Sequence, residues 1–131
     1  MNKKSILIVE DHLVFGKALT TLLTERWTIV GIVGSAEEAL EQLPNLNVDM
    51  VLIDVSLPEM SGIQLAGLIH TKYPNILCLM LSGHLTVSYM ERALQAGARG
   101  YVLKDDGLKI RDAVQMVFDG EIYVSDMLRT Q

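Results

Sequence analysis

At 131 residues, half of them hydrophobic, the chain is sized for one domain that can bury a core without disulfides or structural metals. A formal net charge of −5 and a pI near 5.1 argue against the chain itself gripping a nucleic-acid backbone or an anionic membrane. The single Cys78 lies inside an apolar run, which suits a buried hydrophobe in a reducing compartment, and no segment approaches membrane-spanning length; a soluble cytoplasmic protein with no membrane partner is expected.

Short apolar stretches alternate with segments of helical periodicity. Ser5-Ile6-Leu7-Ile8-Val9 reads as a buried strand and is followed at once by Glu10-Asp11-His12. Leu13 to Glu25 carries Phe15, Leu19, Leu22 and Leu23 at helical spacing. Trp27 to Val33 is β-rich and forms a second strand. Ser35 with Glu38 three residues on matches a capping box for a short helix that stops near Pro44. Asp49 to Ile53 is a third strand, apolar enough to be covered on both faces and ending on Asp54. Ile63 to Lys72 gives a third helix closed by Pro74. Ile76 to Leu81 is a fourth strand and Thr86 to Ala96 a fourth helix, with Gly97 placed as its left-handed terminator. Ala98 to Leu103 is a fifth strand, and Leu108 to Phe118 a fifth helix stopped at Asp119-Gly120. No repeats or low-complexity segments interrupt the pattern.

Strict strand-helix alternation demands a parallel sheet covered on both faces through right-handed crossovers. The expected fold is α/β, a flavodoxin-like doubly wound five-stranded parallel sheet in the order 2-1-3-4-5 with five helices. Ligands in such sheets bind beyond the carboxyl ends of the strands. There the sequence puts Glu10 and Asp11 after the first strand, Asp54 after the third, Ser82 after the fourth and Lys104 after the fifth. Carboxylates gathered in one crevice repel one another unless a cation holds them ionised, and hard oxygen ligands suit Mg²⁺. A flavin-binding site is disfavoured, because Glu10-Asp11 would repel the flavin phosphate.

These residues closely resemble the receiver domain of two-component response regulators, the CheY-like fold. The match runs through Ile8-Val9-Glu10-Asp11, through Asp54-Val55-Ser56-Leu57-Pro58-Glu59-Met60-Ser61-Gly62, through Leu81-Ser82-Gly83-His84, and through Gly100-Tyr101-Val102-Leu103-Lys104. The resemblance implies that Asp54 is the phosphoacceptor, taking a phosphoryl group from a sensor histidine kinase and holding it as an acyl phosphate. It implies that Asp11, Asp54 and the backbone carbonyl of Ser56 bind Mg²⁺, for which Mn²⁺ could substitute, with Glu10 acting through water. Ser82 would bond one phosphoryl oxygen and Lys104 pair with another. Tyr101 would turn inward when Ser82 moves, reshaping the surface of the fourth helix, fifth strand and fifth helix. Read as residues alone, Lys104 could be a surface lysine, Ser82 a helix cap, and Tyr101 a half-buried aromatic with a wet hydroxyl.

Departures from the family pattern are Glu10 where aspartate is commoner, Gly83 for alanine and Asp105 where many receivers have proline. Ser56 and His84 flank the site and are expected to tune autodephosphorylation by controlling the attacking water; a plain solvated histidine is the alternative for His84. Residues 1–120 are assigned to the receiver and 121–131 to the start of a linker or tail. Lys104-Asp105 and the ending Asp119-Gly120-Glu121-Ile122-Tyr123-Val124-Ser125 are similar to receivers of the NarL/LuxR type, which implies a helix-turn-helix DNA-binding domain beyond Gln131 and a role in transcription regulation. The rival is a free-standing receiver acting through protein binding or phosphate relay. A metal-dependent phosphohydrolase with an Asp nucleophile is disfavoured, since the only hydrolysis implied is of the chain's own acyl phosphate. Whether phosphorylation brings two copies together, and through which face, the sequence leaves open.

Overall fold

The computed structural model describes residues 3–83 and 86–125. Strand and helix alternate as β1 (Ser5–Val9), α1 (Leu13–Leu23), β2 (Thr28–Val33), α2 (Ala36–Gln42), a 3₁₀ turn (Leu43–Asn45), β3 (Met50–Asp54), α3 (Gly62–Lys72), β4 (Leu77–Ser82), α4 (Val87–Ala96), β5 (Gly100–Leu103), α5 (Gly107–Phe118) and β6 (Tyr123–Val124). The strands form one parallel sheet in the order β2-β1-β3-β4-β5-β6. The expected order of the first five therefore holds, and among the described residues the strand count is corrected from five to six by the short β6.

Successive side chains of a strand point to opposite faces, and the central strands spend both faces on burial. Leu7 and Val9 of β1, Val51 and Ile53 of β3, and Cys78 and Met80 of β4 pack with Ala36, Ala39, Leu65, Ala66, Ile69 and Ala93 of α2, α3 and α4. Ile6, Ile8, Met50, Leu52, Leu79 and Leu81 face the other way, onto Leu19 and Leu23 of α1 and Ile110, Val114 and Val117 of α5. The same alternation sends Tyr101 to the α4 side and Val102 to the α5 side. Cys78 is buried within this core, and burial pushes its thiol up to about 12, so it behaves as a small hydrophobe.

Local signals set the helix ends. Only half of the expected box forms at α2, where the Ser35 hydroxyl accepts from the Glu38 N–H; the complete capping box is at α3, between Ser61 and Gln64. Asp106 caps α5 by accepting from the Lys109 N–H. Gly97 ends α4 at φ 113°, and a Cβ there would lie 2.4 Å from the His70 ring. Trp27 falls just before β2, buried, with its ring 6.0 Å from that of Phe118.

The segment read as the start of a tail contributes β6, which pairs Tyr123 with Gly100 and Val124 with Tyr101. Ser125 follows it into the interior: its N–H donates to the Tyr101 carbonyl, and its hydroxyl accepts from the Leu103 N–H at 3.2 Å. Gly100 leaves room for both neighbours, since a Cβ there would come within 2.5 Å of Leu79 Cδ1 and 3.0 Å of the Tyr123 carbonyl oxygen.

Candidate functional site

Backbone pairing continues past the formal strand ends and fixes the residues that follow them. The Glu10 N–H donates to the Val33 carbonyl, the Val55 N–H to the Leu81 carbonyl, and the Lys104 N–H to the Ser82 carbonyl. Side chains from β1, β3, β4 and β5 are thereby held at one edge of the sheet with little freedom in register. Of the expected site residues, Glu10, Asp54 and Ser82 are buried, Asp11 is exposed, and the Lys104 side chain is 19% exposed.

Lys104 is the hub. Its ammonium Nζ lies 2.7 Å from Glu10 Oε1 and 3.2 Å from Asp54 Oδ2. The Asp54 carboxylate is fixed at its other oxygen, where Oδ1 accepts from the Ser56 N–H at 3.0 Å. Ser56 thus reaches Asp54 through its backbone. The second oxygen of Glu10 accepts from the His12 N–H at 3.1 Å. The surface-lysine alternative fails for Lys104, because a solvated lysine would not surrender most of its side chain to two carboxylates.

Burial pushes the Glu10 carboxyl above its ordinary 4.5; the Lys104 ammonium and the His12 N–H pull it back in part, and neighbouring Asp54 adds to the rise. For Lys104, burial works to lower the pKa, but Glu10 and Asp54 outweigh it and leave the ammonium above its ordinary 10.5. Lys104 is therefore a fixed positive charge at neutral pH, while Glu10 is an acid whose ionised form is under strain and gains from a nearby cation.

One ligand atom each from Glu10, Asp11, His12 and Asp54 all lie within 4.8 Å of one another. Three of the four are carboxylate oxygens, the donor chemistry of a hard divalent ion. Glu10 Oε1 is buried, and its contact with Lys104 is an ion pair rather than an aligned hydrogen bond. The cluster can therefore hold a metal ion. His12 was not singled out by sequence; its Nδ1 is 3.2 Å from Glu10 Oε2 and 3.5 Å from Asp11 Oδ1. Its position directly after the acidic pair was the available signal.

Ser82 and Tyr101 share a side-chain hydrogen bond, and burial raises the Tyr101 phenol while that bond offsets part of the rise. Tyr101 is fully buried, so the half-buried, wet-hydroxyl alternative does not hold. Phe15, read from sequence as an apolar residue of α1, has its ring centroid 4.6 Å from Lys104 Nζ. His84 lies outside the described residues. Among the described residues, no helix is long and apolar enough to cross a membrane.

The family model described as "Response regulator receiver domain" matches residues 6–115. Among curated relatives, the DNA-binding transcriptional activator DevR/DosR of Mycobacterium tuberculosis is 35% identical over 118 residues, covering 88% of this chain and 54% of the relative. The transcriptional regulatory protein DegU of Brevibacillus brevis is 31% identical over 126 residues, covering 94% of this chain and 53% of the relative. The chain thus spans about half the length of these curated relatives. Among solved structures, a CheY-like receiver domain protein from Methanospirillum hungatei superposes with a TM-score of 0.83 at 25% identity, covering 91% of this chain and 96% of that one. A LuxR-family response regulator from Aurantimonas superposes with a TM-score of 0.93 at 23% identity, covering 98% and 94%, a likeness of fold.

Proposed function

This chain belongs to the response regulator receiver domain family, and on that premise we propose that Asp54 is its phosphoacceptor, taking a phosphoryl group from a phosphohistidine of a sensor kinase. The observation that carries the reading is the bridge made by Lys104, whose ammonium touches both Asp54 and Glu10 at the carboxyl edge of the sheet. In the transfer, the phosphorus–nitrogen bond of the donor breaks as one Asp54 oxygen bonds phosphorus, giving an acyl phosphate. Such transfers need positioning and neutralisation of charge on the phosphoryl oxygens more than covalent chemistry. Lys104 supplies one positive charge, and the Ser56 N–H orients the Asp54 carboxylate from the opposite oxygen.

Glu10, Asp11 and Asp54, with the Ser56 carbonyl, would hold Mg²⁺, Mn²⁺ being able to replace it. When bound, this ion supplies the remaining charge neutralisation at the phosphoryl oxygens. Ser82 stands on the strand between Asp54 and Lys104 and would bond a phosphoryl oxygen. Because Tyr101 is already inside and bonded to Ser82, the new charge would act by changing what Ser82 bonds to. That change would be read at the surface of α4, β5 and α5. Ser56 would also influence access of the water that hydrolyses the acyl phosphate. The chain acts on no foreign substrate in this reading.

For the output, the chain resembles receivers of the NarL/LuxR type, and the relatives named as transcriptional regulators are about twice its length. The full protein is accordingly proposed to be a cytoplasmic transcription regulator that contacts DNA through a separate C-terminal domain. The test of the phosphoacceptor needs no kinase. With Mg²⁺ and acetyl phosphate the chain should gain one acid-stable, base-labile phosphoryl group; labelling that persists in Asp54→Asn, or in excess chelator, would overturn the assignment.

A further inference from the structure

Phe15 sits in the first turns of α1, where Leu13 and Val14 are exposed, and its own side chain is partly buried against the core on the α1 and α5 side of the sheet. Packing alone would make it an ordinary apolar residue of that helix. Its ring, however, lies over the Lys104 ammonium at 4.6 Å from Nζ to the centroid, well inside the roughly 6 Å within which a cation is attracted to an aromatic face. The ammonium has three N–H bonds and, among the described residues, these neighbours: Glu10 at 2.7 Å, Asp54 at 3.2 Å and this ring.

The three neighbours are not equivalent. Glu10 and Asp54 both belong to the group of side chains that can hold a metal, so their oxygens would be shared between Lys104 and that ion. Asp54 also changes chemically when it is phosphorylated. Of these three, the ring alone serves no second cation and takes no part in bond making. It also closes the side of Lys104 towards α1, where four CH₂ groups would otherwise leave the charge free to swing into water.

We propose that Phe15 is a positioning residue for phosphoryl transfer, its aromatic face holding the Lys104 ammonium at the mouth of the site while the two carboxylates take up their other roles. The proposal rests on the reading of Asp54 and Lys104 given above. Phe15 touches neither phosphoryl group nor metal and acts through Lys104.

The test separates ring electrostatics from packing. Mono-, di- and trifluorinated phenylalanine placed at position 15 keep nearly the same volume while progressively emptying the ring face. The phosphorylation rate with acetyl phosphate and saturating Mg²⁺ should fall stepwise through that series. Phe15→Leu should be slower by about fivefold, the equivalent of ~1 kcal/mol, and Phe15→Tyr or Phe15→Trp should restore the rate. In parallel, the ring-current shift of the Lys104 side-chain protons by NMR should collapse in Phe15→Leu. A flat rate across the fluorinated series would overturn the proposal, and because those variants preserve volume, that result stands even if Phe15→Leu folds poorly. Lys104→Ala keeps the two readings apart: if it is slow while the fluorinated series is flat, only the role of Phe15 fails. If Lys104→Ala reacts at the wild-type rate, the assignment of Lys104 fails first.

Discussion

Gly62 offers a sharp test of how tightly the strand that carries Asp54 is held. It is the first residue of α3, and its N–H donates to the Val55 carbonyl at 3.1 Å. A Cβ built on it would stand 2.1 Å from the Asp54 carbonyl oxygen, 2.9 Å from the Asp54 carbonyl carbon and 2.9 Å from Ile53 Cγ2. Ordinary carbon-to-carbonyl contacts begin near ~3.3 Å, so in Gly62→Ala the start of α3 and the end of β3 must part by roughly 1.2 Å. Turning the Ile53 side chain would not relieve it, because the nearest obstacle is the Asp54 backbone. Overpacking of this kind costs about 2 kcal/mol, a fall in Tm of about 7 °C for a chain this long. A catalytic group misplaced by about 1 Å loses on the order of 100-fold in rate, so phosphorylation by acetyl phosphate should drop by about that factor. Gly67→Ala, in the same helix, is the control. Its Cβ would meet Ala96 Cβ at 3.8 Å, an ordinary contact, and the helix should gain about 0.5–1 kcal/mol with an unchanged rate. Thermal melts and the acetyl phosphate assay on both variants decide it; a Gly62→Ala protein as stable and as fast as the wild type would refute the close approach.

Two further predictions concern charge and the added strand. The Glu10 carboxyl is raised above 4.5 in the folded protein, so its favourable contribution is present below that pH and lost as pH rises through the folded value. Metal-free Glu10→Gln should therefore gain stability relative to wild type on going from pH 4 to pH 7 in denaturant melts with chelator, while its affinity for Mg²⁺ falls; a constant stability difference across that range would contradict the strained carboxylate. Ser125→Ala removes the acceptor of the Leu103 N–H, and the unpaired donor should cost about 1–3 kcal/mol, read in urea by the fluorescence of buried Trp27. A midpoint like that of the wild type would show that β6 docking does not depend on this bond.

What the sequence disclosed and what it hid divide along physical lines. Runs such as Ile6-Leu7-Ile8-Val9 and Met50-Val51-Leu52-Ile53 declare strands covered on both faces, being apolar at every position, of strand length and rich in β-branched residues. Once the strands were placed, the acids and Lys104 at their ends followed. The two residues of β6 carry no such pattern; they are too short a run to show a period, and their pairing with Gly100 and Tyr101 is made in space. Capping illustrates the same limit, for Ser35 and Glu38 have the right spacing and complete only half a box, while the full box lay in the Ser61 loop. That Lys104 sits closer to Glu10 than to Asp54, and beneath the ring of Phe15, depends on side chains from three strands and a helix meeting in space. Spacing along the chain carries no trace of it. The tuning role assigned to His84 lies outside the described residues.

On the proposed reading the phosphoryl group goes to Asp54 and to no other acid of the cluster. Borohydride reduces an aspartyl phosphate to homoserine, so the chain can be phosphorylated with acetyl phosphate and Mg²⁺, reduced, digested and sequenced by tandem mass spectrometry. Homoserine is expected at position 54 alone, dependent on Mg²⁺ and on Lys104. Reduction product at Asp11 or Glu10, or none at position 54 in a protein that has taken up phosphate, would contradict it.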